Sequence, residues 1–212
     1  MSGLPPFTVL HVCMGNICRS PMAELLFAAA AGQLVCEGAD KLVHSHGAGT
    51  HGWHHGDPMD PGAARQIRRR GADPTTFRAR RLRPEHIEGS DLVLTATAEQ
   101  REFVEQLTPD AAERTFVLGE FGRLLRSVDV QRLPEFVAEP NAVYARGSAL
   151  VAAVAAARAG RPALPGDDLD DPWGQGERTF ARVADEIEHT VLPLARTLLT
   201  AGHSVVGAPS GG

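Results

Sequence analysis

The segment from Phe7 to Phe27 leaves few folds open. Phe7-Thr8-Val9-Leu10-His11-Val12 is a short apolar run rich in β-formers, and it ends on a loop that contains Gly15 and Asn16, a pattern that predicts a buried strand. Ser20, Pro21 and the following Met22-Ala23-Glu24-Leu25-Leu26-Phe27 predict a cap, a first-turn proline and an amphipathic helix. A tight loop from Cys13 to Ser20 must then join strand to helix. Its backbone N–H groups converge with the positive end of the helix dipole. Such a cradle binds a phosphate-like anion and also favours a thiolate placed at its rim.

The rest of the chain extends this unit. Strand-like runs fall at 7–12, 41–46, 91–97 and 114–118, and helical periodicity falls at 21–33, 60–70, 98–107, 148–159 and 177–199. Short apolar strands alternating with helices predict an α/β fold of three layers, doubly wound, with a four-stranded parallel sheet and helices on both faces. Ligands in such sheets sit at the carboxyl ends of the strands, where the phosphate-binding loop after the first strand falls. With 212 residues, 43% of them hydrophobic, a single domain over 1–206 has enough apolar material for a full core. Residues 127–166 read as an insertion, expected to be a lid or an interface near the site. The small, polar tail 207–212 is expected to be disordered.

Composition excludes several functions. No apolar stretch is long enough to span a bilayer, Ala149 to Ala157 coming nearest, and no secretory signal pattern is seen at the N-terminus. The net charge of -5 argues against general nucleic-acid binding. Three cysteines, two of them in one loop, do not make a disulfide framework, so a cytoplasmic protein, monomeric or weakly dimeric, is expected. Arg65, Arg68, Arg69, Arg70, Arg78, Arg80, Arg81 and Arg83 crowd one region. A solvated helix face and basic loop is the first reading of that run, and a positive rim that attracts a phosphorylated partner is the second. His44, His46, His51, His54 and His55 match no standard metal-site spacing, so no metal and no cofactor is expected. Some of these histidines could instead tune pH dependence.

The loop residues suit sulfur attack on phosphorus. Cys13 is a nucleophile only as its thiolate. The planar fork of Arg19 can hold two equatorial oxygens of a phosphoryl group. Gly15 lets the backbone turn its amides inward, Asn16 tolerates a left-handed conformation, and Ser20 can donate a hydroxyl hydrogen bond to the sulfur. Met14, Ile17 and Cys18 supply the remaining loop positions around the bound phosphate.

Val12-Cys13-x-Gly15-Asn16-x-Cys18-Arg19-Ser20-Pro21-x-Ala23-Glu24 resembles the N-terminal signature of the low-molecular-weight protein tyrosine phosphatases. The resemblance continues in Gly47-Ala48-Gly49-Thr50-x-x-Trp53, Gly56-x-Pro58-x-Asp60-Pro61, Arg78-Ala79-Arg80 and Asp171-Pro172-Trp173-Gly174, and it leaves out the insertion. It implies a phosphorylated protein or small aryl phosphate as substrate, hydrolysed through a Cys13-phosphate intermediate. It also implies that Asp171 is the general acid and base. Asp167, Asp168 and Asp170 are neighbours that could be confused with it. Trp53 and Trp173 match positions that line the family's pocket and would stack on an aromatic ester. The resemblance further implies that Cys18 can trap an oxidised Cys13 as a reversible disulfide, against a plain packing role. Gly47, Phe77 and Thr97 depart from the serine, histidine and aspartate usual in the family, which predicts rearranged hydrogen bonds behind Asn16.

Two other readings compete. A thiol-dependent arsenate reductase shares the fold and a similar loop, but it needs resolving cysteines on a nearby flexible segment, and residues 77–110 contain none. A non-catalytic phosphate-binding regulatory module is the reading from another class.

Overall fold

The computed structural model describes residues 4–201, so the tail expected from Gly207 lies outside the described residues. Four parallel strands form one sheet in the order β2-β1-β3-β4, with β1 Phe7–Cys13, β2 Val43–Gly49, β3 Leu92–Thr95 and β4 Thr115–Val117. Register is set along β1, where Phe7 pairs with Val43 and Cys13 with Gly49 on one side, and Val9 pairs with Leu92 and Val12 with Thr95 on the other. A central strand is buried on both faces, so its side chains alternate between two apolar layers. Phe7 and Val9 enter one core cluster, and Leu10 and Val12 enter the other.

The larger layer is built by α1 Arg19–Leu34, α3 Pro61–Arg69 and α8 Glu177–Leu199, through buried residues such as Phe27, Ile67 and Ile187. The opposite layer is closed by a short helix, α4 Pro84–Glu88, and by α5 Ala98–Leu107, through Ile87 and Val104. Helices therefore cover both faces, as the alternating pattern predicts. Among the described residues no helix is long and apolar enough to cross a membrane.

Several boundaries differ from the sequence reading, and three of the differences have a local cause. The run from Lys41 begins as a single turn, α2 Ala39–Leu42, and extended structure starts only at Val43. α6 Leu118–Leu125 follows β4 without a linker, so the apolar sequence shows no break between strand and helix. α1 starts at Arg19 with Cys18 in the cap position, not at Ser20, because the Ser20 side chain is engaged beneath the loop.

The segment 127–166 is not a lid over the loop. Its helix, α7 Pro140–Arg158, begins eight residues before the predicted start and packs at the amino ends of the strands, opposite Cys13. The Phe7 ring lies 6.4 Å from that of Tyr144 in edge-on contact. A Cβ on Gly147 would sit 2.4 Å from the same phenylalanine ring, so only glycine permits this approach. Arg158 donates to the Thr115 carbonyl at 2.9 Å and lies over Phe116. Val143, Leu150 and Val154 are fully buried. Each such side chain contributes about 1.5–3 kcal/mol on leaving water, which ties the helix into the core.

Candidate active site

The loop after β1 is held open by what surrounds it. Thr50 N–H donates to the Cys13 carbonyl at 2.9 Å, His51 N–H to Met14 at 3.0 Å and Asp60 N–H to Ile17 at 2.9 Å. These bonds occupy the carbonyls of Cys13, Met14 and Ile17 rather than the loop's amides. At the end of β2 a Cβ on Gly49 would come within 2.7 Å of the Met14 carbonyl, so the loop can ride over the sheet only because this residue is glycine. Asn16 takes the turn at φ 55°, the left-handed conformation its short amide tolerates.

Asn16 and Ser20 lie behind the loop rather than in the pocket. Asn16 is fully buried; its Oδ1 accepts from the Arg80 amide at 2.8 Å and its Nδ2 donates to Ser20 Oγ at 2.8 Å. Ser20 Oγ is 3.0 Å from Cys13 Sγ. Once Cys13 is a thiolate it has no hydrogen, so the hydroxyl must be the donor in that contact. The Asn16 amide, by occupying a lone pair of the serine oxygen, turns its hydrogen toward sulfur.

The rearrangement expected from the three departures is uneven. Thr97 caps α5 by accepting from Gln100, and Phe77 packs into the core, so neither touches Asn16. Gly47 does. A Cβ there would meet Asn16 Nδ2 and Glu24 Oε2 at 2.9 Å each, so the glycine leaves the two polar groups facing one another across its Cα. Glu24 escapes a sequence reading that treats it as a polar position of α1. Burial pushes its carboxyl up to about 7, with the Arg80 charge and the Gly47 amide only partly opposing, and among the described residues Oε2 has no hydrogen-bond partner. His11, on β1, is buried against Phe27 with neither ring nitrogen paired, and burial, reinforced by the charge of His46, lowers it to about 3.

In front of the loop lies a pocket of about 140 Å³ lined by Cys13, Met14, Gly15, Ile17, Cys18 and Arg19, together with Trp53, His54, Asp171 and Trp173. The two tryptophans stand at its mouth, 70% and 62% exposed. Arg19 reaches across from the first turn of α1; its Nη2 donates to Asp171 Oδ2 at 2.8 Å and its Nη1 to the Leu169 carbonyl at 3.3 Å, while its buried Nε has no protein partner. Asp171 Oδ1 accepts from the Trp173 amide at 3.2 Å. The neighbouring aspartates are occupied elsewhere. Asp167 holds Arg123 with both oxygens, Asp168 caps α5 through the Ala98 amide at 2.8 Å, and Asp170 pairs with Arg182. Of these four, only Asp171 lines the pocket.

Cys18 lines the pocket as well, but burial, with the charges of Asp60, Cys13 and Asp171, pushes its thiol far above the ordinary range against the opposing effect of Arg19. It is a neutral thiol beside Cys13. Cys36 lies beyond the far end of α1, whose sixteen residues span roughly 24 Å.

The histidine-rich segment divides. His46 Nε2 is 3.0 Å from Ser90 Oγ and its ring stacks on His44, and burial with the charges of His44, Arg80 and His86 lowers it to about 4. His51 stacks on Trp53 at 4.3 Å. His54 is a wall of the pocket that sequence reasoning missed: its Nδ1 is 3.0 Å from Asp57 Oδ2 and its ring edge rests against Gly15. Among the described residues no group of three or more His, Cys, Asp or Glu is placed to hold a metal ion.

Comparison with known proteins agrees with this geometry. The family described as "Low molecular weight phosphotyrosine protein phosphatase" matches residues 8–139. A low molecular weight protein-tyrosine-phosphatase of Streptomyces coelicolor is 35% identical over 184 residues, covering 86% of this chain and 87% of that protein. Low molecular weight protein-tyrosine phosphatase A of Mycobacterium tuberculosis is 39% identical over 124 residues, 58% of this chain and 68% of that protein. In fold, the solved YwlE arginine phosphatase of Geobacillus stearothermophilus is similar with a TM-score of 0.62 and 24% identity, over 91% of this chain and 93% of that one. The sequence signature, the parallel sheet and the matched residues lead to one conclusion: this chain belongs to the low molecular weight phosphotyrosine protein phosphatase family and is a hydrolase of that type.

Proposed function

We propose that this protein hydrolyses phosphotyrosine or another aryl phosphate monoester, with Cys13 as nucleophile, Arg19 and the loop amides as the phosphate clamp, and Asp171 as general acid and base. The observation that carries the reading is the meeting of Cys13, Arg19 and Asp171 in one pocket walled by Trp53 and Trp173. The Cys13 thiolate attacks phosphorus, the P–O(aryl) bond breaks, and the Asp171 carboxyl gives its proton to the departing oxygen. Asp171, now a carboxylate, takes a proton from the water that attacks the cysteinyl-phosphate, and this releases phosphate and restores the thiolate. Ser20 stabilises sulfur as the leaving group in that second step. The unpartnered Nε of Arg19 and the inward loop amides are the donors that an equatorial oxygen would take.

An aryl ester suits the pocket better than a phosphoguanidinium. The walls are two indoles, which suit a flat aryl group by stacking. Arsenate reduction through an internal disulfide relay is disfavoured by the distance of Cys36 from the loop. The three free cysteines suit a cytoplasmic setting, and we assign a monomer or weak dimer.

The test is turnover of p-nitrophenyl phosphate, a phosphotyrosyl peptide and a phosphoarginyl peptide by wild type, Cys13→Ser and Asp171→Asn. Turnover of the two aryl esters, none by Cys13→Ser and a loss of about 10²–10⁴-fold for Asp171→Asn is the expected pattern. Binding of phosphate with no turnover supports the regulatory module, and preference for phosphoarginine overturns the substrate assignment.

A further inference from the structure

The arginine-rich run resolves into two faces. On the face toward α8 the side chains are paired: Arg65 and Arg69 with Glu177, and Arg70 with Asp185 and Glu188. On the other face a groove of about 410 Å³ runs between α3 and the 74–78 segment, with Pro58, Met59 and Ala64 in its floor and Arg65, Arg68 and Arg78 on its rim. The Arg68 side chain makes no hydrogen bond or ion pair among the described residues. The acid whose charge it meets is Asp73, and the Asp73 carboxylate is already taken by the Thr75 amide and hydroxyl. Arg78 uses Nη1 on the Thr75 and Phe77 carbonyls, and among the described residues its other nitrogens have no partner. Arg65 is half-exposed beside them, its Nε held by Glu177.

This positive groove adjoins the pocket. One continuous segment carries Trp53 and His54, in the pocket wall, and then Pro58 and Met59, in the groove floor. It is pinned to the phosphate loop by Asp60 N–H on Ile17 and to the 77–80 segment by the Gly56 and Ala79 amides. The chain as a whole is acidic, at -5, so the concentration of unpaired guanidinium on this rim is local.

We propose that the groove docks an acidic segment of the phosphoprotein substrate, with carboxylates a few residues from the phosphorylated side chain meeting Arg68 and Arg78 while Pro58, Met59 and Ala64 take the apolar parts of the same segment. This rests on the reading of the pocket as a phosphoprotein phosphatase site. Complementary rim charge raises encounter rate and selects partners, and it weakens as salt rises. Small aryl phosphates reach only the pocket and are blind to it.

The experiment compares kcat/KM for three substrates: p-nitrophenyl phosphate, a phosphotyrosyl peptide with Asp and Glu flanks, and the same peptide with Asn and Gln flanks. Wild type is expected to prefer the acidic peptide, and the preference should shrink from low to high salt. Arg68→Glu and Arg68→Glu with Arg78→Glu should lower kcat/KM for the acidic peptide by roughly ten-fold, with Arg68→Lys retaining most of it and the other two substrates unchanged. Equal use of both peptides by wild type, or an equal loss on all three substrates, overturns the docking surface alone. Absence of p-nitrophenyl phosphate turnover by wild type overturns the catalytic reading, and this proposal with it.

Discussion

The front and the back of the Cys13–Ser20 loop are made differently. In front, Arg19 pairs with Asp171 while its buried Nε is left without a partner among the described residues, and the aromatic walls stand exposed. Behind, His11, Asn16 and Ser20 are at most 2% exposed, and both His11 nitrogens and Glu24 Oε2 have no partner. A buried polar atom left unpaired costs about 1–3 kcal/mol. The front is therefore arranged for a ligand, whereas the back holds the loop through the paired Asn16 and Ser20 and carries unpaired, destabilising groups on His11 and Glu24. Function and stability should respond to opposite sides of one loop.

The largest effect that separates them belongs to the front. Arg19→Lys keeps the charge but loses the planar fork, so kcat should fall by about 10²–10³ while the melting temperature barely moves. A comparable loss of stability would show that Arg19 is a structural pin between α1 and the 169–171 loop, and the contrast would collapse.

The back should answer in stability and with pH. The Glu24 carboxyl is raised from 4.5 to about 7 in the folded chain, so between those values the folded state binds the proton that the unfolded state has released. Stability then falls as pH rises from 4.5 through 7, and the penalty is fully present above that window. Glu24→Gln removes it, and denaturant titration should find the variant more stable by ~3 kcal/mol at pH 8 and by less than ~1 kcal/mol at pH 5. A gain of equal size at both values would count against a titrating carboxylate. His11 has the opposite sign: its folded value is about 3 against 6.5, so protons bound only by the unfolded chain draw stability down as pH falls below 6.5. His11→Leu should give ~2 kcal/mol more at pH 5 than it gives at pH 8, and a pH-independent change would mean that packing alone decides.

The same division governs what could be read from residues alone. β1 and its loop are legible because an apolar run, a glycine-bearing turn and a Ser-Pro helix start are local signals. α7 is legible only from Ser148 on, since Asn141, Tyr144, Arg146 and Gly147 interrupt its apolar pattern, and their reasons are tertiary: Arg146 donates to the Thr197 carbonyl and Gly147 meets the Phe7 ring. In the pocket, Cys13 and Arg19 announce themselves by spacing, whereas Asp171 is set apart from Asp167, Asp168 and Asp170 in the sequence by the family resemblance and the Pro172-Trp173 that follows it, and in the structure by the partners those three have found. Behind the loop, the Ser20–sulfur contact and the change at Gly47 are announced, but the isolation of Glu24 and His11 is not. Glu24 sits in the signature, yet its isolation depends on Gly47 having no side chain, and His54 becomes a pocket wall because Gly15 has none.

The smallest expected effect refines the front itself. Trp173 touches the site twice, as an exposed wall for an aryl group and through its amide on Asp171 Oδ1. Replacing the side chain leaves the amide in place, so the two roles can be parted. A ring that stacks on the substrate equally in the ground state and the transition state lowers KM without raising kcat. Trp173→Ala should therefore raise KM for an aryl phosphate several-fold, about 1 kcal/mol, with kcat nearly unchanged. A fall in kcat that matches the fall in kcat/KM would instead make the indole a positioning group for the acid loop. The aromatic front would then belong, like Asn16, to the machinery that holds geometry rather than to the surface that meets substrate.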